Sequence, residues 1–180
     1  MEPQLADLFA RLEWRKAVFL NLVRPLSDAQ TQFRPSPASW SAAEVLQHVY
    51  KTEYEIVGQV RVNQGRGQTV SPADRVRGVL LTILFRTPVR LKVPAKAAKV
   101  LPNGTVQVAP LLGAWATSRK DLAATLAAFP PSQRSAGVFA HPVSGWMTLP
   151  RTMLFLSAHI QHHSLQIHRL KSSMAKAGIK

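Results

Sequence analysis

No cysteine occurs among the 180 residues. Disulfides, thiolate metal ligands and a cysteine nucleophile are therefore excluded, and a metal ion would have to be held by nitrogen or oxygen donors. Acids are nearly missing from the second part of the chain. Eight of the nine Asp/Glu lie in residues 1–74 and only Asp121 follows, whereas the Lys/Arg residues divide into eight before Arg75 and fifteen from there on. The net charge of +14 thus arises entirely after residue 74. Such a balance suits an anionic partner, such as nucleic acid or an acidic membrane surface, but also a merely solvated basic face. No nucleic-acid-binding motif accompanies the charge, and counterion release alone gives only non-specific affinity. Long apolar stretches are missing too: the longest, Val79–Phe85, falls far short of the roughly 20 residues of a membrane-spanning helix. The first residues, Met1-Glu2-Pro3-Gln4-Leu5-Ala6-Asp7, carry acids where a signal peptide carries positive charge, and no apolar core follows. A cytoplasmic chain is expected.

What is present describes a globule. A hydrophobic share of 46% with 18% charged residues is enough to build a core, and 180 residues is an ordinary size for one domain, expected to span 1–180. Thirteen prolines predict well-marked breaks. Leu5, Leu8, Leu12, Val18, Leu20 and Leu22 recur at mostly helical spacing and predict a first helix over about 4–23, stopped at Pro25. After the loop Phe33-Arg34-Pro35-Ser36-Pro37-Ala38, the run Ser41-Ala42-Ala43-Glu44 has the spacing of a capping box. A second helix therefore opens at Ser41 and runs to about Val62, striped by Leu46, Val49, Ile56 and Val60 and ended by Gly65 and Gly67.

Residues 63–110 are less regular and read as a long crossover. Ser71-Pro72-Ala73-Asp74 looks like the cap of a short helix reaching about Phe85, and Pro88, Pro94 and Pro102 punctuate the remainder. Leu112, Trp115, Leu122, Leu126 and Phe129 predict a third bundle helix over 111–129, before Pro130-Pro131. Thr148, with Pro150 in the first turn, opens the last and longest helix, to about Ala177. Its seam is Leu149, Met153, Leu156, Ile160, His163, Ile167, Leu170 and Met174, alternating steps of four and three as in a bundle core. The fold class that follows is all-α, a four-helix bundle with a long crossover between its second and third helices.

His163 stands in that seam where leucine is expected. A neutral imidazole in a core needs partners for both ring nitrogens, since an unsatisfied buried polar group costs about 1–3 kcal/mol. His159 lies four residues earlier, about 40° round the helix by its 3.6-residue period, so both rings project toward one point. Histidines at this spacing are commoner at surfaces or in hydrogen bonds than as ligands. His48, beside Val45, Val49 and Thr52 on the second helix, offers a third donor from a facing element. Three histidines leave a fourth position open, the arrangement of a catalytic metal site and not of a closed structural one. A hydrogen-bonded histidine cluster without metal is the alternative. His162 points about 60° away from His159 and His168 faces away from it, by the same helical period, while His141 precedes a proline in a loop; all three read as structural or exposed.

The run Trp40-Ser41-Ala42-Ala43-Glu44-Val45-Leu46-Gln47-His48, with Glu53, resembles the second-helix signature of the DinB-like family, whose members include metal-dependent hydrolases. A second block is similar to that family's late loop and last helix: His141-Pro142-Val143-Ser144-Gly145-Trp146-Met147-Thr148, then Ala158-His159-Ile160-Gln161-His162-His163 and Gln166-Ile167. The resemblance implies a four-helix bundle of up-down-down-up topology. It also implies a divalent ion, nickel or zinc, held by His48, His159 and His163. Such relatives include hydrolases and transferases that use a low-molecular-weight thiol such as bacillithiol, mycothiol or glutathione, so the implied partner is a small molecule. Homodimers are common for exposed bundle faces, and a homodimer is admitted here without a residue that argues for it.

The chain departs from the family's pattern in a basic insert holding Arg75, Arg77, Arg86, Arg90, Lys92, Lys96 and Lys99. Its apolar run Val79–Phe85 is expected to close the core; the alternatives are covering the metal pocket or lying on an anionic membrane surface. No general base is evident, because Glu53, five residues after His48, sits about 140° round the helix from it. A basic helical scaffold that binds an anionic partner therefore stands beside the enzyme.

Overall fold

Ser41 and Glu44 satisfy each other's backbone as their spacing predicts: the Glu44 amide donates to Ser41 Oγ at 3.3 Å and the Ser41 amide to a Glu44 carboxylate oxygen at 2.8 Å. The helix they start, like all elements below, is taken from a computed structural model that describes residues 1–179. In chain order the helices are α1 (Pro3–Val23), α2 (Asp28–Gln32), α3 (Ala42–Asn63), α4 (Pro72–Leu84), α5 (Val108–Ala127) and α6 (Leu149–Lys176). Two strands, β1 (Gly137–His141) and β2 (Gly145–Thr148), pair antiparallel between α5 and α6. The protein is mostly helical.

The last helix is capped by Thr148, whose hydroxyl accepts from the Arg151 amide at 3.4 Å. All eight seam residues from Leu149 to Met174 are buried. The α5 boundaries are shifted from the expected ones for two proline reasons. Pro110 is the third residue of the helix, where a missing amide hydrogen costs nothing, so the helix starts at Val108. Phe129 precedes Pro130 and is steered out of helical geometry, so the helix stops at Ala127.

The hairpin and α2 were not expected. Helix α2 is a single capped turn, with Ser27 and Gln30 forming a second capping box. The hairpin buries Val138, Phe139 and Met147, and pairs Phe139 with Met147 and Ala140 with Trp146. Strands this short leave no period to read in the sequence.

Helix α6 packs against α1, α3 and α4; α3 also packs against α5 and β1; and α4 also meets β2. Phe19 and Trp115 join α1 to α5, edge to face, with ring centroids 6.0 Å apart. The resulting core contains Leu12, Leu46, Leu122, Leu156 and Ile167, all essentially without solvent contact. Beside these apolar groups lies one buried ion pair. Arg119 donates through Nη2 to Glu53 at 2.7 Å and through Nε to the other carboxylate oxygen, which also accepts from Trp115 Nε1 at 2.9 Å. The Arg119 Nη1 reaches Glu13 on α1 at 2.6 Å. Glu53 is thus a strut between α3 and α5.

Helix α4 corrects the expectation for Val79–Phe85. It starts at the predicted cap, with the Asp74 amide donating to Ser71 Oγ at 3.1 Å. The residues it buries are Asp74, Gly78 and Thr82, with Leu81 and Phe85 packed on the core. Val79, Leu80, Ile83 and Leu84 remain exposed. The stretch is amphipathic, and only one of its faces is used by the core.

Candidate metal centre

Helix α3 delivers His48 and helix α6 delivers His159 and His163, each within 5% of full burial. Their nearest ring nitrogens all fall within 4.8 Å of one another. The His159 Nε2 is 3.2 Å from His48 Nε2 and 3.2 Å from His163 Nε2. The three candidate ligands named from the sequence are therefore brought to one point.

The tautomers follow from what the other ring nitrogens meet. His48 Nδ1 lies 2.8 Å from the Val100 carbonyl oxygen, which can only accept, so Nδ1 donates and Nε2 keeps a lone pair. His163 Nδ1 donates in the same way to Gln166 Oε1 at 2.8 Å. Two imidazoles thus aim lone pairs at His159 Nε2, which has at most one hydrogen to offer them. Protonation does not relieve the conflict. Burial pushes His48 down to about 4, and burial together with the neighbouring imidazoles pushes His159 and His163 well below the usual histidine value.

A cation fits what the three rings leave unsatisfied. Imidazole nitrogens about 2.1 Å from a common ion are separated by about 3.4 Å in tetrahedral geometry and about 3.0 Å for adjacent octahedral positions. The two nitrogen separations of 3.2 Å lie between those values. The backbone carbonyl and the amide oxygen behind the rings are the usual outer partners that fix a ligating histidine's tautomer and orientation.

The triad opens on a cavity of about 650 Å³. Aromatic rings line it: Trp40 packs on His48 with centroids 4.9 Å apart, while Phe85 and Phe155 lie 5.5 and 5.8 Å from His159. Cations line it as well, namely Arg90, Lys92, Lys96 and Lys99 from the basic insert and Arg169 from α6. None of these five makes an ion pair among the described residues. The 3₁₀ segment Ala95–Val100, which the sequence presented as irregular crossover, is what carries the Val100 carbonyl to His48.

Several cavity residues were not anticipated. Glu55 lines the cavity, half-buried and without an ion pair. It is seven residues after His48, which puts it about 20° from His48 on the helix, so the spacing was there to be read. Thr52, at four residues, shares that face, and its hydroxyl is buried without a hydrogen-bond partner. His162 is buried and lines the cavity, with Nδ1 likewise unpartnered. His141 also belongs here. Its Nδ1 accepts from the Val143 and Ser144 amides at 3.2 and 3.3 Å, so the proton sits on Nε2, and burial pushes its pKa down to about 4. Glu53 does not reach the cavity, in agreement with its angle from His48.

A family model described as the DinB superfamily matches residues 11–167. No curated protein and no solved structure matches the chain.

Proposed function

The chain belongs to the DinB superfamily, and from that premise we propose that it is a metal-dependent enzyme acting on a small anionic molecule. His48, His159 and His163 would hold a divalent ion, nickel or zinc, and leave a position open toward the cavity. The observation that carries this reading is the set of converging Nε2 atoms, of whose lone pairs a single proton on His159 can satisfy at most one. Bound there, the ion supplies Lewis acidity for a water or a thiol cosubstrate, the chemistry of a hydrolase or a thiol-dependent transferase.

The remaining work falls to side chains of this chain. Val100 and Gln166 hold two ligands in their donating tautomer. Trp40, Phe85 and Phe155 exclude water and accept an apolar moiety. Arg90, Lys92, Lys96, Lys99 and Arg169 orient a carboxylate or similar anion, as carried by an acidic substrate or by a thiol such as glutathione. Glu55 is the carboxylate placed to take a proton, and the Nε2–H of His141 is placed to donate a hydrogen bond. In this reading α1, α3, α5 and α6 are the four members of an up-down-down-up bundle that forms one domain over 1–180, with α4 in the crossover.

The test is elemental analysis of untagged protein after exposure to zinc and nickel in turn, beside His48→Ala and His163→Ala. About one ion per chain is expected in the parent and little in either variant, as for a single tri-histidine site. No ion in any sample would remove the metal centre and the enzyme with it.

A further inference from the structure

Helix α4 has two faces of opposite fate. Asp74, Gly78 and Thr82 are buried, whereas Val76, Val79, Leu80 and Ile83 are 59, 37, 60 and 54% exposed. Those four residues follow the spacing i, i+3, i+4, i+7 and so form one stripe, turned about 150° from the buried face. Scattered apolar side chains on a surface need no explanation, but a contiguous aliphatic stripe does. Arg75 flanks one edge and Arg77 the other, at about 90–110° from the stripe's centre by the helical period, and Arg86 follows two residues after the helix ends. All three are exposed. The carboxylate of Asp74, the acid of this helix, already accepts from the Ser71 amide and from Arg77. From Arg75 to Lys120 the sequence contains no other acid, and Arg90, Lys92, Lys96 and Lys99 continue the exposed positive segment beyond the helix.

We propose that α4 is an interfacial helix that seats the protein on an anionic phospholipid surface. Val76, Val79, Leu80 and Ile83 enter the boundary between headgroups and acyl chains, while the flanking arginines stay among the phosphates. An apolar stripe edged by cations is the pattern of helices that lie in the membrane plane. Charge decides between this occupant and a second copy of the chain. A two-fold pairing through α4 would bring the same arginines against their own images with no carboxylate free to answer them, and the net charge of +14 opposes it further. A bilayer rich in acidic lipid answers the exposed arginines that flank the stripe. Peripheral attachment is what is proposed; no helix among the described residues is long and apolar enough to cross a membrane.

Co-sedimentation of the full chain with two kinds of vesicle tests this, one of phosphatidylcholine alone and one of equal parts phosphatidylcholine and phosphatidylglycerol. The parent should sediment with the mixed vesicles only. Leu80→Ser with Ile83→Ser should weaken that partition at least about tenfold, since two large aliphatic groups no longer leave water. Arg75→Gln with Arg86→Gln should weaken it several-fold and lessen its salt dependence. All four positions are exposed, so the variants should keep the parent's helical circular dichroism. Three results would overturn the proposal: a parent that binds neither vesicle, a serine variant that binds as well as the parent, or a parent dimer that the serine substitutions dissociate.

Discussion

The Nδ1–H of His163 donates to Oε1 of Gln166, 2.8 Å away and three residues on along α6. This bond makes one turn of helix supply both a candidate ligand and the group that orients it. Replacing Gln166 by leucine leaves the ring free to rotate and to change tautomer. Affinity for zinc or nickel should fall about 10–100-fold, the usual cost of losing such an outer partner, while the fold is kept. Gln166→Glu should retain or tighten binding, because a carboxylate makes the imidazole a stronger donor. Chelator competition measures both. Equal affinities in the parent and Gln166→Leu would show that the Gln166 contact does not tune a ligand.

Acid should destabilise the metal-free protein between about pH 6.5 and pH 4. His48 and His141 are both held near 4 by burial, against about 6.5 for free histidine. Between those values the unfolded chain binds protons that the folded chain refuses. The stability these sites contribute is therefore complete above about pH 6.5 and is lost as the pH falls toward 4, at up to about 1.4 kcal/mol per pH unit for each residue. Urea titrations of the apo-protein across this window should show the slope, and His48→Leu should flatten part of it. A stability independent of pH over that range would mean that the buried imidazoles accept protons without penalty.

How much of this was legible in the sequence depends on the length over which a signal repeats. The α6 seam spans seven steps of four and three, and every residue read into it is buried. The caps at Ser41, Ser71 and Thr148 are local chemistry between a hydroxyl and an amide three residues on, and all three stand. The convergence of His48 with His159 and His163 was inferred from faces and from family resemblance, and their nitrogens do meet. What was not legible depends on tertiary partners. The exposure of Leu80 and Ile83 is fixed by what α6 and β2 offer to the other side of α4, and hydrophobicity alone assigned both to the core. The Val100 carbonyl contact needs a 3₁₀ segment 52 residues away from His48. Glu55 is readable at seven residues from His48, whereas the family signature holds Glu53, which sits on another face of the helix.

Glu53 and Arg119 make a stability prediction that is independent of the metal. Both are buried, and their bonds to each other, to Trp115 and to Glu13 tie α1, α3 and α5 together. Arg119→Met strands the buried Glu53 carboxylate, which should cost about 3–5 kcal/mol of unfolding free energy, while Glu53→Gln leaves Arg119 its bond to the half-exposed Glu13 and should cost less. Replacing both by apolar residues should cost clearly less than the sum, since no lone charge is left inside. Denaturant midpoints of the two single variants and the double variant decide it. Strict additivity would mean that the two side chains do not act as a pair.

Gly145 is the position where a single methyl group should do most local damage. Its φ of 79° lies in the left-handed region, and an added Cβ would stand 2.1 Å from Oδ1 of Asp74. That carboxylate cannot simply swing aside, because it caps α4 through the Ser71 amide and pairs with Arg77. Gly145→Ala therefore has to strain the hairpin turn or break the α4 cap, and each of these costs about 1–2 kcal/mol. The loss should concentrate where α4 rests on β2. Hydrogen exchange in Gly145→Ala should rise over 72–84 and 145–148 while the amides of α1 and the middle of α6 keep their protection. Uniform loss of protection would mean instead that the hairpin is part of the global folding unit, and α4 with it.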